Sequence, residues 1–151
     1  MIVLHQAFLL LHLLGAMAWV GGMFFAYFCL RPSAAEVLAP PERLPLWLAT
    51  LGRFLRYMSL AVVAVVATGL GMMLATGFKY APMGWHIMFL LGLVMAVVYA
   101  YVHLGLLPRL RRHCEARAWP AAAQALNAIR RMVALNLALG VATVIAAVSA
   151  R

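Results

Sequence analysis

The sequence predicts an all-α fold: a polytopic membrane protein built as a four-transmembrane-helix, up-down bundle. Three observations predict it. Of the 151 residues, 68% are hydrophobic and 10% are charged, with a mean hydropathy of +1.01; ordinary soluble domains carry about 25% charge. The apolar residues gather into four runs, each long enough for a hydrocarbon core of ~30 Å at ~1.5 Å per residue. The basic residues fall mainly between the runs.

The first helix is expected over about 2–30, with no charge before Arg31 and with Pro32 following. It has no basic n-region, and its apolar character continues well past "AMA", so a retained helix is expected and not a cleaved signal peptide. "SAAE" at 33–36 has the form of a capping box and would start a separate short helix. The second helix is expected over about 45–77. Its lead-in, "PPERLPLWLATLGRFLRY", places Leu44, Trp47, Leu48, Leu51 and Leu55 at helical spacing. The third is expected over about 82–107, with Pro82 in its first turn and Pro108 ending or kinking it. The fourth is expected over about 120–150, with Pro120 in its first turn. The whole of 1–151 reads as a single transmembrane domain, without repeats or low-complexity tracts.

Each span carries small residues four apart: Ala18, Gly22 and Ala26; Ala67, Gly71 and Ala75; Gly92, Ala96 and Ala100; Ala134, Ala138, Ala142, Ala146 and Ala150. Lipid gives little hydrophobic reason for helices to associate, so close backbone packing must supply the attraction. Such ladders suit a compact bundle, and they equally suit a homo-oligomer.

Charge sets the expected orientation. The segments 31–56 and 108–131 lie on one side of a four-span chain and hold ten of the twelve Lys and Arg residues; Lys79 and Arg151 are the other two. The positive-inside rule makes both basic loops cytoplasmic and both termini external, in a bacterial inner (cytoplasmic) membrane. The net charge of +9 is therefore read as topology signal and lipid-headgroup contact, and nucleic acid is rejected as a partner. Glu36, Glu42 and Glu115 are the only carboxylates in the side chains. That scarcity argues against paired-carboxylate catalysis and against a carboxylate-built Ca or Mg site. Cys29 and Cys114 form no CxxC pair, and no nucleotide, zinc-hydrolase or nucleophilic-triad motif is present.

Chemistry is concentrated in the histidines. His5 and His12 are seven apart and share a helix face that Trp19 continues. His86 lies near the start of the third helix, and counting from the basic ends leaves His12 and His86 ~5 Å apart in depth. An imidazole inside a span marks a functional site. Two imidazoles from diagonal helices suit the axial positions of b-type haem. The leading expectation is thus haem iron held by His12 and His86, with His5 as spare ligand and Trp19 shaping the pocket, serving electron transfer or a haem-dependent membrane oxidoreduction. The alternative is copper binding or transport, with His5, His86, Met72, Met73 and Met83 as ligands and Met1 and Met88 also toward the outer side; imidazole and thioether suit copper, and thioether favours Cu(I). A third reading is a structural membrane protein without a cofactor. His103 and His113, near the basic side, receive no role.

Three stretches carry a family resemblance. "LHLLGAMAWVGGMFFAYFCLRP" resembles the opening helix of the copper resistance protein D (CopD) family. "RFLRYMSLAVVAVVATGLGMM" resembles its arginine-led second helix with a Thr-Gly near the end. "NAIRRMVALNLALGVATVIAA" resembles the last helix of its short members, with Asn136 after the basic pair. The resemblance implies an inner-membrane protein linked to copper handling. More distantly, His12, Trp19 and Gly21 are similar to the first helix of HemJ-type protoporphyrinogen oxidases, which are associated with b-haem. "GWHIMFLL" lacks the lysine, and "ALNLALG" the Asn-Glu and Pro, of that second group.

Overall fold

The computed structural model describes residues 2–149; Met1, Ala150 and Arg151 lie outside the described residues. Helix α1 (Ile2–Phe24) runs through a π-helical segment, Phe25–Leu30, into α2 (Arg31–Val37). After two residues α3 (Pro40–Thr76) returns. A short turn leads to α4 (Met83–Tyr101), which passes through a second π segment, Val102–Leu106, into α5 (Leu107–Glu115). Helix α6 (Trp119–Val148) closes the bundle. Four continuous helical stretches, Val3–Val37, Pro40–Thr76, Met83–Glu115 and Trp119–Val148, are long and apolar enough to cross a membrane. The chain is a multi-pass membrane protein.

Two boundaries differ from the sequence expectation for one reason. Pro108 was expected to end or kink its helix, and the first helix to stop near Leu30 with Pro32 beyond it, yet both helices continue past these prolines. Each proline sits just after a π segment. A proline in a regular α-helix has no N–H for the carbonyl four residues back and clashes with it. A π turn shifts the bonding to i→i+5 and opens the backbone, so the ring is accommodated. "SAAE" is consequently no helix start. Ser33 lies inside the continued helix, and its hydroxyl donates to the Cys29 carbonyl at 2.9 Å. The second helix also begins earlier than expected, at Pro40, with Pro40 and Pro41 in the first turn, where a missing N–H costs nothing.

Short connections make successive long helices antiparallel neighbours. The closest pairings are α1 with α3 and α4 with α6; α3 also meets α4 and α6, and α1 meets α6. Glycines permit the close approach of α1 to α3. A Cβ on Gly15 would come within 2.7 Å of Val65, one on Gly71 within 2.7 Å of Phe8, and one on Gly22 would strike the Phe54 ring. The expected alanine ladders are only partly used. Ala18, Ala67, Ala75, Ala138 and Ala142 face outward, whereas α6 buries Ala122, Leu126, Ile129, Asn136 and Gly140.

The core has two parts. At the basic end, Leu44, Trp47, Leu51, Leu55, Val102, Leu106, Leu107, Leu110, Cys114, Ala122, Leu126 and Ile129 form one cluster. Nearer the middle, Trp19, Met23, Met58, Val62 and Met95 form another. The join between them is polar: Tyr99 donates to the Leu55 carbonyl at 2.7 Å and meets the Ser59 hydroxyl at 2.6 Å. Apolar side chains of all four long helices cover the exterior, among them Leu10, Leu14, Leu60, Val63, Leu90, Val97, Val144 and Ile145, as a lipid solvent requires.

Candidate metal site

Beyond the second cluster, away from the basic end, the four long helices line a partly open cavity of about 90 Å³. Its walls are almost wholly apolar. From α1 come His12 and Trp19, from α3 Gly69 and Met73, from α4 Met88 and Met95, and from α6 Gly140 and Thr143.

His12 is held in one orientation. Its Nδ1 lies 3.1 Å from Thr68 Oγ1. The Thr68 hydroxyl is itself 2.6 Å from the Ala64 carbonyl and 3.3 Å from that of Val65. A carbonyl only accepts, so the single hydroxyl proton goes to the backbone, and Nδ1–H must donate to Thr68. In neutral imidazole the proton on Nδ1 leaves Nε2 with a bare lone pair. Gly69 makes room for this ring, since a Cβ there would stand 3.1 Å from His12 Cε1. The spacing follows from the sequence: Thr68 and Gly69 are adjacent on α3, so one tethers the imidazole while the other admits it.

Three thioethers line the same space. Met73 is 2% exposed and Met95 is comparably buried. The Thr143 hydroxyl lies 3.7 Å from Met95 Sδ while donating to the Leu139 carbonyl at 2.8 Å. Asn136, 3% exposed, ties α6 to α4 by donating from Nδ2 to the Met95 carbonyl at 3.2 Å. Trp19 packs edge-on against Tyr99 with ring centroids 6.2 Å apart, closing the cavity on the side of the core.

The residues singled out by sequence separate into three places. His12, Trp19 and Met73 share the cavity. His5 and Met72 line a second, open groove at the end of α1 and α3 with Leu4, Gln6, Phe8, Ala75 and Thr76. Met83, 75% exposed, lines neither. His86 also lines neither. It stands in the first turn of α4, its Nδ1–H donates to the Pro82 carbonyl at 3.2 Å, and its ring lies beside Phe78. The structure thus does not bring His12 and His86 to one pocket. The cavity is also small for a porphyrin, since pockets for organic ligands begin near ~300 Å³. Thr68 and Met95 were not singled out as site residues, and Met88 only as one of the methionines toward the outer side. The Thr-Gly pair was visible as a motif, but nothing in the sequence tied it to His12. His103 sits in the second π segment, stacked on Tyr99 with centroids 5.7 Å apart, far along the chain from the cavity residues of α4.

Among the described residues no three His, Cys, Asp or Glu side chains lie close enough to hold a metal ion together. A metal in the cavity would therefore take one nitrogen and complete its shell with sulfur. Cys29 and Cys114 are free thiols and line no part of it.

No curated protein and no solved structure matches the chain. A family profile does: that described as copper resistance protein D matches residues 48–150, from the first turns of α3 to the end of α6. A match over that much of the sequence makes this chain a member of the copper resistance protein D (CopD) family, a multi-pass membrane protein related to copper resistance.

Proposed function

We propose that the protein binds copper as Cu(I) inside the bundle, as cargo to be taken up or sequestered, with His12 Nε2 and the thioethers of Met73, Met88 and Met95 as donors. The observation that carries this reading is the tethered imidazole. Its Nδ1–H is committed to Thr68, which leaves the lone pair on Nε2, and the ring lines an apolar cavity together with three methionines. Soft thioether with neutral imidazole is a Cu(I) donor set, and a carboxylate-free lining is a poor host for hard cations. Family membership supports the same metal.

His5 and Met72 form an outer station. Met72 and Met73 are successive residues of α3, one in the open groove and one in the cavity, so copper captured at the groove has a second thioether next in line. By the positive-inside rule we read the basic end as cytoplasmic, in a bacterial inner membrane, with the groove on the far side. Copper fits better than haem, because His86 lies outside the cavity and the cavity is small.

The test is Cu(I) competition between the purified protein and a chromophoric Cu(I) chelator. His12→Ala and Met73→Leu should each weaken retention at least tenfold. Both variants holding Cu(I) as tightly as the unaltered protein, or a Soret band in the protein as purified, would falsify the proposal.

A further inference from the structure

A second site lies at the basic end, independent of copper. Tyr27, Arg31, Asn127, Arg130, Arg131 and Ala134 line a cleft of about 310 Å³ between the π segment Phe25–Leu30 with α2 and the first half of α6. Three arginines line it, and none of the three glutamates of the chain does. Two of the three are braced. Arg31 lies over the Tyr27 ring at 5.1 Å and Arg130 over the Trp47 ring at 5.7 Å. Arg130 also donates from Nη1 to Asn127 Oδ1 at 3.1 Å, while its Nε is buried without any hydrogen-bond partner. A buried charged donor left unpaired is costly, and like charges held together add to that cost. An anion in the cleft offsets the second cost, the repulsion between the arginines.

We propose that this cleft holds the phosphate of an anionic phospholipid headgroup. Phosphate is the anion that planar guanidinium forks match best. Lipid is favoured over free phosphate by what adjoins the cleft: the Phe28 ring, 5.1 Å from that of Tyr27, and Leu135, next to Ala134, are exposed on the apolar exterior. A charged cleft beside an apolar wall, at the end of membrane-spanning helices, matches a headgroup with its chains. Basic pockets between transmembrane helices take anionic headgroups in this way.

Native mass spectrometry of the full chain, released from an uncharged detergent, tests it with three probes: phosphatidylglycerol, phosphatidylcholine and inorganic phosphate. The unaltered protein should retain one phosphatidylglycerol at collision energies that strip phosphatidylcholine. Arg31→Gln/Arg131→Gln should reduce that retention at least tenfold. Arg109→Gln/Arg112→Gln removes the same charge from exposed positions of α5 outside the cleft and should change retention less than twofold. Arg31→Lys/Arg131→Lys keeps the charge but loses the fork and should fall between. Equal retention of the two lipids, equal loss in both glutamine pairs, or millimolar inorganic phosphate displacing phosphatidylglycerol overturns the proposal. The comparison of probes on the unaltered protein decides even if a variant fails to fold.

Discussion

Toward the basic end, α3, α5 and α6 close on aliphatic side chains with Trp47 among them, and Leu110, Leu126 and Ile129 are almost without exposed surface. Toward the other end the same bundle opens around a cavity whose walls carry one imidazole and three thioethers. Both regions are apolar, so composition does not separate them. What separates them is what the residues can do when water is absent. Leucine and isoleucine interlock and leave nothing unpaired. Histidine and methionine keep lone pairs, and a cavity beside them is a place for something that accepts electrons. The solid core of the basic end supports the fold; the cavity at the other end leaves room inside the bundle for a ligand.

The contrast is broken most forcefully by hollowing the solid end. Leu110 has 0% of its surface exposed, and truncation of such a leucine to alanine usually costs about 2–5 kcal/mol. Leu110→Ala should lower the unfolding midpoint in detergent by many degrees, while the folded variant keeps its Cu(I) affinity within about twofold. A tenfold loss of affinity in a folded Leu110→Ala protein would mean that the two ends are not separable.

A smaller effect on stability with a larger one on binding is expected at Thr68. Thr68→Val keeps the shape and removes the acceptor of the His12 Nδ1–H. The Ala64 carbonyl loses only an additional bond. Stability should fall by about 1 kcal/mol. Removing the partner that orients a ligating histidine commonly costs ~10–100-fold in metal affinity, so chelator competition should show a loss in that range. Unchanged affinity would show that His12 needs no tether, and the tautomer assigned to it would lose its functional meaning.

The contrast between the ends also explains what could be read from sequence. Span number and their apolar character were legible because lipid imposes a coarse rule on every residue of a helix. The lead-in to α3 was legible because Leu44, Trp47, Leu51 and Leu55 repeat at helical spacing and are buried on one face. Helix ends were not. The usual reading of Pro32 and Pro108 as breakers assumes α-helical bonding, and the preceding π segments change that bonding without any sequence mark. The ladder in α6 misled because alanine is tolerated equally toward lipid and toward a helix. Within the site, His12, Trp19 and Met73 could be nominated one at a time, as polar, bulky or soft residues in a span. Met95 and Thr68 could not, and Met88 could only be grouped with the other outer methionines, because their membership depends on how α3 and α4 rotate against α1.

The smallest expected effect sharpens the comparison at its other margin. His86 looks from sequence like the natural partner of His12: an imidazole at similar depth on the diagonal helix. In the structure its Nδ1–H is turned back to the Pro82 carbonyl and its ring accompanies Phe78, outside the lining of the cavity. His86→Ala should therefore leave Cu(I) affinity unchanged within about twofold. Any stability cost should stay near the ~1 kcal/mol of a single partly exposed hydrogen bond. If copper is instead lost to the same extent as in His12→Ala, α4 must turn on binding to bring His86 inward, and the cavity described here would be only the resting form of a site with two imidazoles. Depth along a helix makes two histidines candidates for one centre; the direction each side chain takes from its helix decides whether they share it.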